Sequence, residues 1–419
     1  MAASRSVSCG PITKYGIRKT FILIVALASL AACALPAPLS PLPPVTRVAS
    51  VDTAAPSPQP PTPALGAVEG STAATAPPAT PSPTNTRVIQ SPTPPTPALS
   101  APEHTPKDEG PTATVPPIIH LMAVGDVMLA RSVGDRIVAE GPAVPFAGVA
   151  QTLGSAGLLV ANLECVISEL GEPQPKAYAF RAPPAAADSL ALAGVDVLSL
   201  ANNHSLDYGF EALSDTRQRL ADRQIAAVGA GDNEAAARTP VIVERNGLRV
   251  AFLAYVDVPV ETRSGFDTRT WIATADAPGI AWADVEQIST DVAAARAQAD
   301  VVVVLLHFGF ESRTQVTTAQ RAEAHAAIDA GAALVLGSHP HVLQGVERYN
   351  GGLIAYSLGN FVFDGFTFPE NYSAIFAATL TRDGVGEYNW IPVVVEEGVP
   401  RLATPEEALN ILALVKPLD

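Results

Sequence analysis

The chain has 419 residues, 48% of them hydrophobic, and a formal net charge of -15. That length admits one large domain or two ordinary ones with a sizeable core. The acidic balance excludes nucleic acid and an anionic membrane surface as general partners, so a polyanionic ligand must be met by a local metal or arginine. Cys9, Cys33 and Cys165 are the only cysteines, and the first two fall in a targeting-like segment, so there is no disulfide framework. Cys165 is expected to be buried as a small apolar residue.

Lys14, Arg18 and Lys19 precede an apolar run from Phe21 to Leu30, followed by Ala31, Ala32 and Cys33. A basic start, an apolar centre and small residues before a cleavage point make a secretory signal over residues 1–33. A run of roughly 12 apolar residues is too short to span a bilayer, which needs about 20. Leu30-Ala31-Ala32-Cys33 resembles the bacterial lipobox, which implies that Cys33 is lipidated and that the chain is anchored to a cell membrane on its extracytoplasmic face. Residues 34–117 are mostly Pro, Ala, Thr and Ser and hold 23 of the 39 prolines, so neither helix nor central strand can persist there. They read as a disordered tether, open to O-glycosylation.

Residues 118–419 read as one α/β domain. Apolar strand-like runs cover Ile118–Val124, Leu158–Asn162, Val195–Leu200, Val250–Tyr255, Val301–Leu306, Ala333–Leu336 and Leu353–Ser357. Helix-like stretches at Ala185–Ala193, Glu211–Arg223, Trp282–Gln298 and Thr318–Ala330 lie between several of them. Short apolar strands alternating with helices predict sheets covered on both faces.

Polar residues follow these runs in a consistent way. Gly125-Asp126, Asn162-Leu163-Glu164, Asn202-Asn203-His204, His307 (with Glu311 beyond it) and His339-Pro340-His341 each stand at the C-terminal end of a strand. That is the edge where α/β sheets bind ligands. Carboxylate, carboxamide and imidazole donors suit Zn, Mn, Fe or Mg rather than copper(I). On an extended segment His339 and His341 would sit almost 7 Å apart. A turn at Pro340, or two metals taking one histidine each, would reconcile them. Two ions about 3.5–4 Å apart can clamp the attacking and leaving oxygens of a phosphoryl displacement, with a neighbouring histidine as acid.

In order, Gly125-Asp126-Val127-Met128, Asn162-Leu163-Glu164, Ala201-Asn202-Asn203-His204-Ser205-Leu206-Asp207-Tyr208-Gly209, His307-Phe308-Gly309-Phe310-Glu311, Gly337-Ser338-His339-Pro340-His341-Val342 and Ser357-Leu358-Gly359-Asn360-Phe361 resemble the motifs of CapA-type poly-γ-glutamate capsule proteins. The resemblance runs from about Ile118 to Asp364 and implies a metallophosphoesterase-like four-layer α/β/β/α sandwich. It also implies one or two divalent ions (Mn, Zn or Fe), with Asp126, Glu164 and His341 at the first metal, Asn203, His307 and His339 at the second, and His204 as the acid. The implied partners are a capsular polymer and other capsule-synthesis membrane proteins, and a metal-dependent hydrolase of envelope substrates is the alternative activity. Met128 stands where the metallophosphoesterase pattern has His, and Glu164 where it has Asp, so a single ion is favoured.

Other positions carry weaker expectations. Arg181 is a candidate bidentate donor to an anionic substrate, with an ordinary surface arginine as the equal alternative. Asp207-Tyr208-Gly209 is expected to shape a turn, and Asn360 and Asp364 to hold a loop near the site. His120 and His325 are expected not to be ligands. Trp271 and Trp282 flank a candidate flap, Asp276–Ile280.

Overall fold

The computed structural model describes residues 116–418 except Thr262. The expected signal, with Cys33, and the expected tether up to residue 115 lie outside the described residues. Among those described, no helix is long and apolar enough to cross a membrane.

Two sheets form the centre. The first has eight strands, in the order Val399–Leu402, Gly384–Glu396, Tyr372–Thr381, Ile119–Val127, Leu158–Leu163, Val197–Ser199, Ala226–Val228, with Asn360–Val362 also paired to Ile119–Val127. The second has six, in the order Val346–Tyr349, Gly352–Ala355, Leu334–Ser338, Val301–Phe308, Leu248–Asp257, Val241–Arg245. Side chains alternate across each strand, and in Val301–Phe308 and Leu334–Ser338 of the second sheet both sets are buried. Val301, Val303 and Leu305 join the core shared with Leu121, Val160 and Leu198 of the first sheet. Val302, Val304 and Leu306 instead pack with Ile288 and Val292 of helix Val285–Arg296 and with Ala324 and Ala327 of helix Thr318–Asp329. Helices Arg131–Glu140, Ala186–Leu192 and Gly209–Ala221 add Val133, Ile137, Leu190 and Leu213 to the core that holds the first sheet. The result is the expected α/β/β/α order, and double-sided burial explains why these strands are continuous apolar runs.

All seven strand-like runs and all four helix-like stretches correspond to elements, with ends shifted by a few residues. The antiparallel extension Tyr372–Leu402 and the helix Arg131–Glu140 were not foreseen from the sequence. Leu248–Asp257, Val301–Phe308 and Leu334–Ser338 run parallel, as do Ile119–Val127, Leu158–Leu163, Val197–Ser199 and Ala226–Val228. Their C-terminal ends carry the polar motifs.

Candidate metal centre

Asp126 is fixed first. The backbone of Gly125 runs so close to Gly359 that an added Cβ would lie 1.8 Å from the Gly359 oxygen, and the Asp126 N–H donates to that oxygen at 2.9 Å. Its carboxylate accepts Asn162 Nδ2 at 2.8 Å on Oδ1 and the His339 main-chain N–H at 3.2 Å on Oδ2. Asn162 also approaches His307 Nδ1 at 3.2 Å and accepts from Asn202 Nδ2 at 3.1 Å. Asn162 and Asn202 thus scaffold the site. Both stand in the quoted motifs, yet neither was a candidate, because their role is to orient other donors.

The segment Ser338–His341 resolves the spacing of its two histidines. His339 has φ 93° and His341 φ 57°. Positive φ is costly for a residue with a Cβ and concentrates where function over-determines the backbone. The chain therefore turns at Pro340 instead of running extended, and the two imidazole centroids lie 6.0 Å apart. His341 Nδ1 meets Asn360 Oδ1 at 2.9 Å, which leaves Nε2 facing Glu164 Oε1 at 3.8 Å.

One ligand atom from each of Asp126, Glu164 and His341 lies within 4.8 Å of the others, and all three residues are buried. Glu164 has no solvent exposure, and neither carboxylate oxygen has a hydrogen-bond partner. Burial, reinforced by the Asp126 charge, pushes its carboxyl well above the ordinary range. Burial likewise raises Asp126, against the opposing pull of His341. Orphaned carboxylate oxygens in a dry pocket are costly unless a cation offsets them, so these residues fit a divalent metal. Of the three residues in the other implied set, Asn203 Oδ1 and His307 Nε2 satisfy each other at 2.8 Å, and His307 Nδ1 meets Ser338 Oγ at 2.9 Å. His339 Nδ1 is buried and unpartnered, and its ring centroid is 4.8 Å from that of His307. Burial holds the His307 and His339 imidazoles well below their ordinary range, and therefore neutral. The Met128 sulfur accepts the Ala130 N–H at 3.2 Å.

His204 Nδ1 meets Asp207 Oδ2 at 2.7 Å, and its Nε2 lies 3.9 Å from Glu164 Oε1. A carboxylate only accepts, so the proton sits on Nδ1 and Nε2 faces the centre. Burial lowers the His204 imidazole, against the pull of Asp207. Asp207 does more than shape a turn: it also takes Lys176 Nζ at 2.7 Å and the Phe180 N–H at 2.6 Å.

A cleft of about 160 Å3 opens beside His204 and His341, walled by Tyr178, Phe180, Phe363 and Phe366, with Arg131, Arg263 and Glu311 also lining it. Arg181 is absent from that lining. It is exposed and stacks on Tyr208 at 4.1 Å. Arg131 lines the cleft but is held by Asp364 Oδ1 at 2.7 Å from Nε. Asn360 and Asp364 each hold a neighbouring element, as expected. His325 pairs with Glu347 at 3.1 Å and His120 is exposed. The Asp276–Ile280 stretch is no loose flap: Gly279–Ile280 pairs with Ala230–Gly231, and Trp271 is buried. Cys165 is buried, with its thiol pushed up to about 12.

The sequence profile of the bacterial capsule synthesis protein PGA_cap family matches residues 120–365. The chain is 38% identical over 206 residues to the PGA biosynthesis protein CapA of Bacillus subtilis (strain 168), covering 49% of this chain and 52% of that protein. It is 34% identical over 290 residues to the capsule biosynthesis protein CapA of Bacillus anthracis, covering 67% and 68%. A probable polyglutamine synthesis accessory protein of Mycobacterium tuberculosis (strain ATCC 25618 / H37Rv) is 32% identical over 211 residues, covering 48% and 54%. The chain thus spans about half the length of two of these relatives and two thirds of the third. With its motif residues gathered where strand ends of the two sheets meet, the chain belongs to the bacterial capsule synthesis protein PGA_cap family.

Proposed function

We propose that this chain is a CapA-like capsule-synthesis protein, tethered through Cys33 to the outer face of a cell membrane. In this reading it acts with other capsule-synthesis membrane proteins in making, exporting or anchoring an anionic polymer of the poly-γ-glutamate type. The carrying observation is the Asp126–Glu164–His341 group with its orphaned carboxylate, in a chain of this family. The signal-like segment and the names of the relatives support the location and the polymer.

Asp126, Glu164 and His341 would hold one divalent ion, which when bound supplies a Lewis acid for an anionic oxygen. The chain's own residues do the rest. Asn360 fixes the tautomer of His341, Asp207 fixes that of His204, and the aromatic cleft walls exclude water from one side. In the producing bacterium, replacement of Asp126 by Ala should lower the amount or attachment of surface polymer as strongly as deletion of the gene. Unchanged polymer after deletion would remove this reading.

The pairing of His204 with Asp207 favours a second reading, a metal-dependent hydrolase acting on an envelope substrate. His204 Nε2, unprotonated in this tautomer, would take a proton from the attacking water and pass it to the departing oxygen. The full-length protein with added Mn or Zn should hydrolyse generic phosphate esters, and His204→Ala should lower turnover by about 100-fold. Metal binding without hydrolysis would leave the first reading alone.

A further inference from the structure

We propose that Lys176 and Glu261 are positioning residues of the metal centre: one buried ammonium, through the two carboxylates it binds, fixes both His204 and Asn203. The Lys176 side chain has no solvent exposure. Its Nζ meets Asp207 Oδ1 at 2.7 Å, the Asn203 carbonyl oxygen at 2.5 Å and Glu261 Oε1. Two of these contacts are hydrogen bonds, that to Glu261 is an ion pair, and Nζ also lies 3.5 Å from His204 Nδ1. The Trp271 ring covers the cation at 4.8 Å.

Each carboxylate then acts on a site residue. Asp207 Oδ2 takes the His204 Nδ1 proton and so turns Nε2 to the centre. Glu261 Oε1 accepts Asn203 Nδ2 at 3.1 Å. Because a carboxylate only accepts, this contact sets the orientation of the Asn203 amide and leaves its Oδ1 on the side of His307, 2.8 Å from Nε2. Neither Lys176 nor Glu261 belongs to a sheet: they come from the excursions between Ile167 and Arg181 and between Asp257 and Gly279. Without the ammonium, the two carboxylates would lose the one cation they share, and both excursions would lose a hold on the centre.

The test uses full-length protein labelled with ¹⁵N asparagine, first without metal. Lys176→Met and Glu261→Ala should each turn the Asn203 side-chain amide from one protected pair of resonances into an exchange-averaged one. Asn203 leads through His307 and Asn162 to Asp126 Oδ1, so Mn2+ titration should then show affinity lowered about tenfold by Lys176→Met, as expected when the hydrogen bonds that orient a ligand are disturbed. Asn203→Ala should do the same, and adding Glu261→Ala to it should weaken binding no further. An unchanged amide in both variants would overturn the proposal, as would additive losses. So would Mn2+ binding that stays equal or tightens, the result expected if Lys176 only repelled the ion. Glu261→Ala keeps the Lys176–Asp207 pair and so serves if Lys176→Met does not fold. The metal arm rests on the metal reading above: if the unsubstituted protein binds no Mn2+, that reading fails while the amide arm still decides this one.

Discussion

The main-chain N–H of His339 donates to Asp126 Oδ2 at 3.2 Å, joining residues 213 positions apart. Asp126 belongs to Ile119–Val127 of the first sheet, and His339 follows Leu334–Ser338 of the second. The centre therefore depends on how the two sheets meet, so changes that shift one sheet end should disturb metal binding before they disturb the core.

Gly125→Ala is such a change. Its Cβ would lie 1.8 Å from the Gly359 oxygen, a backbone atom that cannot swing aside. The substitution should cost roughly 1–3 kcal/mol or more, the range for forced overpacking. It should also weaken metal binding, because Asp126 is the next residue. A urea denaturation curve and a metal titration measure the two effects, and an unperturbed protein in both would contradict the packing described for this edge.

The metal-free protein should show opposed pH effects. The Glu164 carboxyl is raised, so its favourable contribution is complete below the ordinary value of 4.5 and is lost as pH rises through the folded value. The His307 and His339 imidazoles are depressed, so their contribution is complete above the ordinary value of 6.5 and is lost as pH falls below it. A divalent ion takes the place of the Glu164 proton, so the rise in Tm on adding Mn2+ should grow as pH rises above the ordinary carboxyl value of 4.5. Thermal melts with and without Mn2+ check this. A shift independent of pH would mean that no proton leaves the site.

Met128→Leu should leave metal stoichiometry unchanged and cost less than about 1.5 kcal/mol, as a volume-conserving core exchange. The sulfur already accepts the Ala130 N–H, and a thioether is a poor ligand for a hard cation. A large loss of metal affinity in this variant, read by calorimetric titration, would make Met128 part of the centre.

Much of this was legible in the sequence because strands buried on both faces, such as Val301–Phe308, leave an unbroken apolar run whose polar end stands out. The extension Tyr372–Leu402 was not: Gly384–Glu396 is partly exposed, carries Pro392 and opens on two glycines, features that obscure a strand. The candidate ligands could be read from motif order; the positive φ values show a turn at Pro340, yet of its two histidines it is His341 that joins Asp126 and Glu164. Lys176 and Glu261 left no signal, since 85 positions separate them and only the folded excursions bring their charges together. Arg181 was a reasonable anion donor by type, but it stacks on Tyr208 while Arg131 and Arg263 reach the cleft.

The central claim is that Asp126, Glu164 and His341 hold one divalent cation. Metal analysis of the purified full-length protein, after equilibration with Mn2+ or Zn2+ and removal of free ion, tests it most directly. One equivalent should remain bound to the unsubstituted chain and essentially none to Asp126→Ala or Glu164→Gln. A chain that retains no metal, or an Asp126→Ala variant that retains a full equivalent, would contradict the account.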